Sequence, residues 1–246
     1  MHDDLTGTVS LVTGAGSGLG EATARALSSA GSAVACLDIR GAEAERVCRD
    51  ICDAGGRSLA IELDLRDDEA VFRAVDQVHR QWGRLDVAVN SAGYDHVRAV
   101  DEMTVQQWDE VIGVNLRGPF LVSKAAFRIM REQGSGAIVN VASTAATRAW
   151  ANAAAYHASK WGLVGFSRSL GVEGRPFNIR VTTVIPGGMR THFFDRFPEQ
   201  GIPMPDTSKL QDPAAVARAI VFAVQLPAES AMQEMIITPL DETSWP

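Results

Sequence analysis

Thr8-Val-Ser-Leu-Val-Thr-Gly-Ala-Gly-Ser-Gly-Leu-Gly20 runs from a short β-rich segment straight into a glycine loop, and an alanine-rich helical stretch follows over residues 21–30. Strand, loop and helix in that order make one unit of a parallel α/β sheet. Glycines let the backbone come close to a pyrophosphate, and a helix start offers it unpaired N–H groups and the positive end of a dipole. The spacing follows T-G-x-x-x-G-x-G through Thr13, Gly14, Gly18 and Gly20, because Leu19 and Glu21 fall where the last glycine of G-x-G-x-x-G would be. A glycine-rich stretch also suits a plain flexible turn, but the flanking strand and helix argue against that here.

Working outward, Ala33-Val-Ala-Cys-Leu37 reads as a second buried strand that ends in Asp38, eighteen residues beyond Gly20. A carboxylate there accepts bonds from both ribose hydroxyls of an adenosine and repels a 2′-phosphate. Arg40 softens that repulsion, and Asp38 also fits as the N-cap of a helix over residues 41–54. A strand over residues 58–63 delivers Asp64 and Leu65 to its carboxyl end, before an amphipathic helix over 67–82. A strand over 85–89 runs into Asn90-Ser-Ala-Gly93.

Thr104 suits the N-cap of a long helix that carries Asn115 to about residue 130, with a bend expected at Gly118-Pro119. Strands over residues 137–142 and 178–185, helices over 156–170 and 213–225, and a last strand over 234–238 complete the alternation. The expected fold is a single doubly wound α/β domain over residues 1–246, a parallel sheet with helices on both faces. Residues 188–209 lack periodicity and read as a lid, with a short helix over 191–196.

Ser143 follows the fifth strand and therefore sits at a carboxyl end, where open α/β sheets bind ligands. Tyr156 and Lys160, four residues apart on a helix, share one face. A nearby ammonium favours the phenolate and is expected to lower the tyrosine pKa from about 10. Taken alone, the pair also fits an aromatic at a helix start beside a solvated lysine.

The chain has 246 residues, 46% of them hydrophobic and 22% charged, with a net charge of −7, as in an ordinary globular protein. No basic cluster speaks for nucleic acid or an anionic membrane, and no apolar run approaches a membrane span. The first residues lack the features of a signal peptide, so a cytoplasmic location is expected. Cys36, Cys48 and Cys52 read as reduced thiols packed as small hydrophobes, and the five scattered histidines give no metal site.

Thr13-Gly-Ala-Gly-Ser-Gly-Leu-Gly20, Asn90-Ser-Ala-Gly93, Asn115, Ser143, Tyr156-His-Ala-Ser-Lys160 and Pro186-Gly187, in this order and spacing, resemble the short-chain dehydrogenase/reductases along essentially the whole chain. The resemblance implies a Rossmann-type sheet and a catalytic set of Asn115, Ser143, Tyr156 and Lys160. In it tyrosine is the acid/base, serine holds the substrate oxygen, lysine tunes the tyrosine and binds the nicotinamide ribose, and the asparagine kink holds a relay water.

It also implies that the cofactor lies along Gly14, Ser17, Gly18, Leu19 and Gly20, then Asp38 and Ile39, with Asp64 and Leu65 at the adenine. Asn90, Ala92 and Gly93 would follow the ribose and diphosphate, and Pro186, Gly187, Met189 and Thr191 the nicotinamide. Three departures stand out: Ser91, Thr182, and a tail of Pro239-Leu-Asp-Glu-Thr-Ser-Trp-Pro246 in place of the usual Asp-Gly-Gly, which bears on subunit packing and pocket shape.

The expected activity is hydride transfer between NAD(H), less readily NADP, and a secondary alcohol or ketone. An NADPH-dependent 3-oxoacyl-thioester reductase and a non-catalytic NAD(P)-sensing protein are the alternatives. Tyr94 to Val97, Thr144 to Trp150 and Met189 to Met204 are expected to line the pocket, with Trp150, Phe193 and Phe194 suggesting an apolar or aromatic substrate. A homo-oligomer, tetramer or dimer, is expected from the family.

Overall fold

The computed structural model describes residues 4–195, 197–198, 201 and 204–242. Residues 1–3, Arg196 at the end of the expected short helix, four more positions of the expected lid, and residues 243–246 of the tail lie outside the described residues.

Seven parallel strands form one sheet: β1 (Val9–Thr13), β2 (Ala33–Asp38), β3 (Ser58–Glu62), β4 (Val87–Asn90), β5 (Gly136–Val141), β6 (Ile179–Pro186) and β7 (Glu234–Ile237), in the order β3-β2-β1-β4-β5-β6-β7. Helices α1 (Gly18–Ser29), α2 (Gly41–Asp53) and α7 (Pro213–Gln225) pack on one face. On the other lie α3 (Asp68–Trp82), α5 (Gly118–Gln133) and α6 (Ala154–Gly174), with α4 (Val105–Ile112) leading into α5.

The alternation along β1 shows why all five of its residues are buried. Val9 and Leu11 enter the core with Val71, Val75 and Leu121, whereas Val12 enters the opposite core with Leu27, Val47 and Ile220. A strand covered on both faces has no side to give to water.

The long helix expected from Thr104 breaks one turn before the expected bend. Thr104 and Gln107 cap α4 reciprocally, and residues Gly113–Arg117 then form a π turn in which the Gly118 N–H reaches back to the Gly113 carbonyl. Pro119 has no N–H to give the Asn115 carbonyl, which favours a wide turn at that point. Helix α1 starts inside the glycine loop, at Gly18.

Cys36 and Cys48 are buried, but Cys52 is exposed, which corrects its reading as a packed hydrophobe. It lies in the last turn of α2, where its Sγ meets Ser58 Oγ at 3.3 Å rather than the core.

Candidate active site

β1 pairs with β2 on one side and β4 on the other, so the crossover connections diverge at its carboxyl end. A cavity of about 810 Å³ opens there. One end is lined by Gly14, Ser17, Gly18, Leu19, Gly20, Asp38, Ile39, Asp64 and Leu65, the middle by Ala92 and Gly93, and the other end by Ser143, Tyr156, Lys160, Pro186, Gly187, Met189 and Thr191.

The glycine loop is as tight as its sequence requires. Gly14 has a φ of +67°, and a Cβ there would lie 2.8 Å from Ala92 Cα. A Cβ on Gly20 would strike the Gly14 carbonyl. Ser17 precedes α1 without capping it, its Oγ instead accepting from Arg40 Nη2 at 2.8 Å. A glycine cradle at a helix start is a donor set suited to phosphate.

Asp38, only 7% exposed, accepts from the Gly16 N–H at 2.9 Å and the Arg40 N–H at 2.9 Å, with Arg40 Nε 3.6 Å away. The residue preceding α2 is Arg40, and no side chain caps that helix. The N-cap role open to Asp38 is therefore not taken up. Asp64 pairs with Arg66 at 2.6 Å, and those bonds hold its carboxyl below the usual range.

Two of the candidate residues lie beneath the cavity wall. Asn90 donates to Asn140 Oδ1 at 2.8 Å and Ser123 Oγ at 3.1 Å, and Asn140 donates to Ser167 Oγ at 2.8 Å, a polar rung tying β4 and β5 to α5 and α6. Asn115, fully buried in the π turn, clamps Tyr94 by its backbone: Oδ1 accepts from the Tyr94 N–H and Nδ2 donates to the Tyr94 carbonyl, both at 2.8 Å. Nδ2 also reaches Ser159 Oγ at 3.1 Å, next to Lys160. The asparagine thus couples the wall formed by Tyr94 and Asp95 to α6.

Ser143, Tyr156 and Lys160 converge at the far end. Ser143 lies two residues beyond β5, accepts from the Ala145 N–H at 3.1 Å and is hydrogen-bonded to the Tyr156 side chain. Lys160 is buried, donates to the Val141 carbonyl at 2.9 Å, and lies 5.6 Å from the Tyr156 ring centroid.

The Tyr156 pKa moves opposite to the sequence expectation. Burial pushes it well above the ordinary phenol value, the Ser143 bond pulls it back only in part, and Asp95 pushes it further up. Burial also lowers Lys160 to about 8, against the opposing pull of Asp95. Desolvation wins because the amine is buried away from water. In the protein alone this tyrosine is a neutral, proton-bearing phenol.

Of the expected pocket residues, Tyr94, Asp95, Thr144, Arg148, Trp150, Met189, His192, Phe193 and Phe194 line the cavity. His96 does not: it faces Glu110 at 2.8 Å and the Tyr94 hydroxyl at 2.9 Å. Met204 is exposed, away from the lining. Phe193 stacks 5.5 Å from the Tyr156 ring and continues into Phe194 and Phe197. Sequence reasoning missed Arg66, Glu110 and Glu242 in the lining. Glu242 arrives from the atypical tail, and no local pattern announces a contact across 94 residues.

Among the described residues no cluster of His, Cys, Asp or Glu stands ready for a metal ion, and no helix is long and apolar enough to cross a membrane.

The family profile described as short chain dehydrogenase matches residues 8–201. The chain is 40% identical over 182 residues to the D-threitol dehydrogenase of Mycolicibacterium smegmatis, covering 74% of this chain and 70% of that protein. It is 37% identical to the cis-4-hydroxycyclohexanecarboxylate dehydrogenase of Sinomonas cyclohexanicum, covering 90% and 91% of the two chains. A metagenomic short-chain oxidoreductase solved in complex with NADP superposes with a TM-score of 0.84 at 31% identity, covering 96% of this chain and 98% of that one. With the glycine cradle at one end of the cavity and Ser143, Tyr156 and Lys160 at the other, the chain belongs to the short-chain dehydrogenase/reductase family of oxidoreductases.

Proposed function

We propose that the protein transfers a hydride between NAD(H) and a secondary alcohol or ketone, with Tyr156 as the proton donor and acceptor. The observation behind this reading is one continuous cavity with a phosphate cradle at one end and the Ser143, Tyr156 and Lys160 group at the other. A nicotinamide dinucleotide bound along it supplies the hydride acceptor or donor. Gly14, Ser17, Gly18, Leu19 and Gly20 would hold its diphosphate, Asp38 and Ile39 its adenosine ribose, and Asp64 and Leu65 its adenine. Ala92 and Gly93 would follow the sugar and diphosphate, and Lys160, Pro186, Gly187, Met189 and Thr191 the nicotinamide ribose and ring.

The chain's own groups manage the proton. Ser143 Oγ is placed to hold the substrate oxygen beside the Tyr156 hydroxyl. In ketone reduction the neutral phenol gives its proton to that oxygen, and in alcohol oxidation the phenolate takes it. The Lys160 cation works toward the phenolate by Coulomb attraction, so it matters most in oxidation. Asn115 acts through Tyr94 and Ser159, fixing the wall against which the substrate lies. Phe193, Phe194 and Trp150 favour an apolar ring or chain on the substrate.

Asp38 supports NAD over the NADP found in the metagenomic relative, because a 2′-phosphate would meet its buried carboxylate. The dehydrogenases of D-threitol and of cis-4-hydroxycyclohexanecarboxylate support an alcohol as substrate. Exposed Trp108 and Val105 on α4, Phe120 on α5 and Trp161 on α6 support a homo-oligomer, dimer or tetramer. A cytoplasmic location belongs to the same reading. A panel of cyclic, aromatic and open-chain secondary alcohols, followed by NADH absorbance, tests it: formation of NADH with at least one class is expected, and none with any class contradicts it.

A further inference from the structure

The tail after β7 returns to the catalytic end of the cavity. The Glu242 N–H closes a turn on the Pro239 carbonyl at 3.1 Å, and the side chain then enters the cavity wall. One carboxylate oxygen is paired with the Arg148 guanidinium, and the other accepts from the Gly188 N–H at 3.0 Å. Gly187 leaves the room: a Cβ there would strike the same carboxylate. The Glu242 side chain is only 13% exposed, whereas Leu240 beside it is fully exposed, so polar contacts rather than packing hold this stretch.

A guanidinium and a backbone N–H converging on a space kept open by a glycine form a receptor for a carboxylate. Arg148 is fixed relative to the reacting groups. Its loop is pinned to α6, the helix of Tyr156, through His157, whose Nδ1 donates to the Ala145 carbonyl at 2.7 Å and whose Nε2 accepts from the Trp150 N–H at 3.2 Å. The Thr147 hydroxyl closes the same loop on the Thr144 carbonyl at 2.7 Å.

We propose that Arg148 and the Gly188 N–H form a carboxylate subsite of the substrate pocket, that the substrate is a hydroxy or oxo acid whose carboxylate binds there, and that Glu242 is an internal competitor for the place. The substrate's reaction rests on the hydride-transfer reading; the subsite does not. Asp95 and Glu110 line the same cavity, so a second carboxylate beside an intact Arg148–Glu242 pair meets like charge. Ligand and tail therefore exclude each other. A tethered group competes at an effective concentration of order millimolar, which weakens an added carboxylate without abolishing its binding.

Calorimetric titration with benzoate and with benzamide, on the protein alone and saturated with NADH, tests this without requiring turnover. Benzoate is expected to bind about tenfold or more tightly than the uncharged amide. Glu242→Ala should tighten benzoate by about tenfold and leave benzamide unchanged. Arg148→Met should lose the preference for benzoate while retaining NADH binding, which reports a folded site, and Arg148→Lys should fall between. Equal affinities for benzoate and benzamide in the wild type and in Glu242→Ala, or a weaker benzoate complex in Glu242→Ala, overturn the subsite. Failure of the hydride-transfer reading would appear separately, as no NADH formed from any alcohol.

Discussion

The Lys160 ammonium lies 5.6 Å from the Tyr156 ring centroid and directs a hydrogen bond at the Val141 carbonyl, 2.9 Å away. The two groups are one helical turn apart, and both are shaped more by burial than by each other. Their proton affinities diverge in the direction that leaves both uncharged.

A stability consequence follows for Lys160. Its folded value, about 8, lies below the ordinary 10.5, so the stability it contributes is fully present above 10.5 and is lost as pH falls through 8. At about 1.4 kcal/mol per tenfold, that displacement amounts to an upper bound of about 3 kcal/mol. Tyr156 has the opposite sign, but its effect begins only above the ordinary phenol value of 10.0. Denaturant unfolding of wild type and Lys160→Met at pH 7 and pH 10 checks this. Wild type should gain on the variant by a kcal/mol or more, within that bound of about 3 kcal/mol; an unchanged difference would mean that the amine is solvated.

Asp38 sets the cofactor preference. A 2′-phosphate beside its carboxylate costs several kcal/mol, so NADP should fall about a hundredfold or more below NAD in kcat/KM. In Asp38→Ser, Arg40, now 3.6 Å from the lost carboxylate, becomes available to the phosphate, and the ratio should move toward NADP. Equal wild-type values for the two cofactors, or a ratio that the substitution leaves unmoved, would remove Asp38 from this role.

Asn115→Ala removes both bonds to the Tyr94 backbone and the one to Ser159. Leaving buried groups unpaired costs about 1–3 kcal/mol each, so the melting temperature should drop by several degrees. The wall at Tyr94 and Asp95 should also loosen, raising KM for the alcohol more than for NAD. A variant as stable as wild type would show that the clamp is dispensable.

The sheet was legible because most strands are short, largely apolar runs, and several lead to the cavity: Thr13, Asp38 and Pro186 stand at carboxyl ends, and Ser143 lies two residues past the end of β5. A bend near Asn115 was legible in Gly118-Pro119, but its form as a π turn over Gly113–Arg117 was not, since the pair marks the break but not which carbonyls the wider turn will use. The pKa directions of Tyr156 and Lys160 depend on how much water the folded cavity excludes, a quantity that spacing along a helix does not contain. Glu242 was out of reach for the same kind of reason, because its partner Arg148 is brought to it only by the return of the tail.

The central claim is that the Tyr156 hydroxyl moves the proton. Its ring packs against Phe193 at 5.5 Å, so Tyr156→Phe should preserve the wall of the site and the binding of NADH. Steady-state turnover of the best alcohol from the panel, measured beside NADH binding in the same preparation, is the direct test. The account predicts unchanged NADH affinity and a loss in kcat of about a hundred- to ten-thousand-fold. Retention of more than about a tenth of wild-type kcat would contradict it, since proton transfer by a positioned side chain is worth more than that.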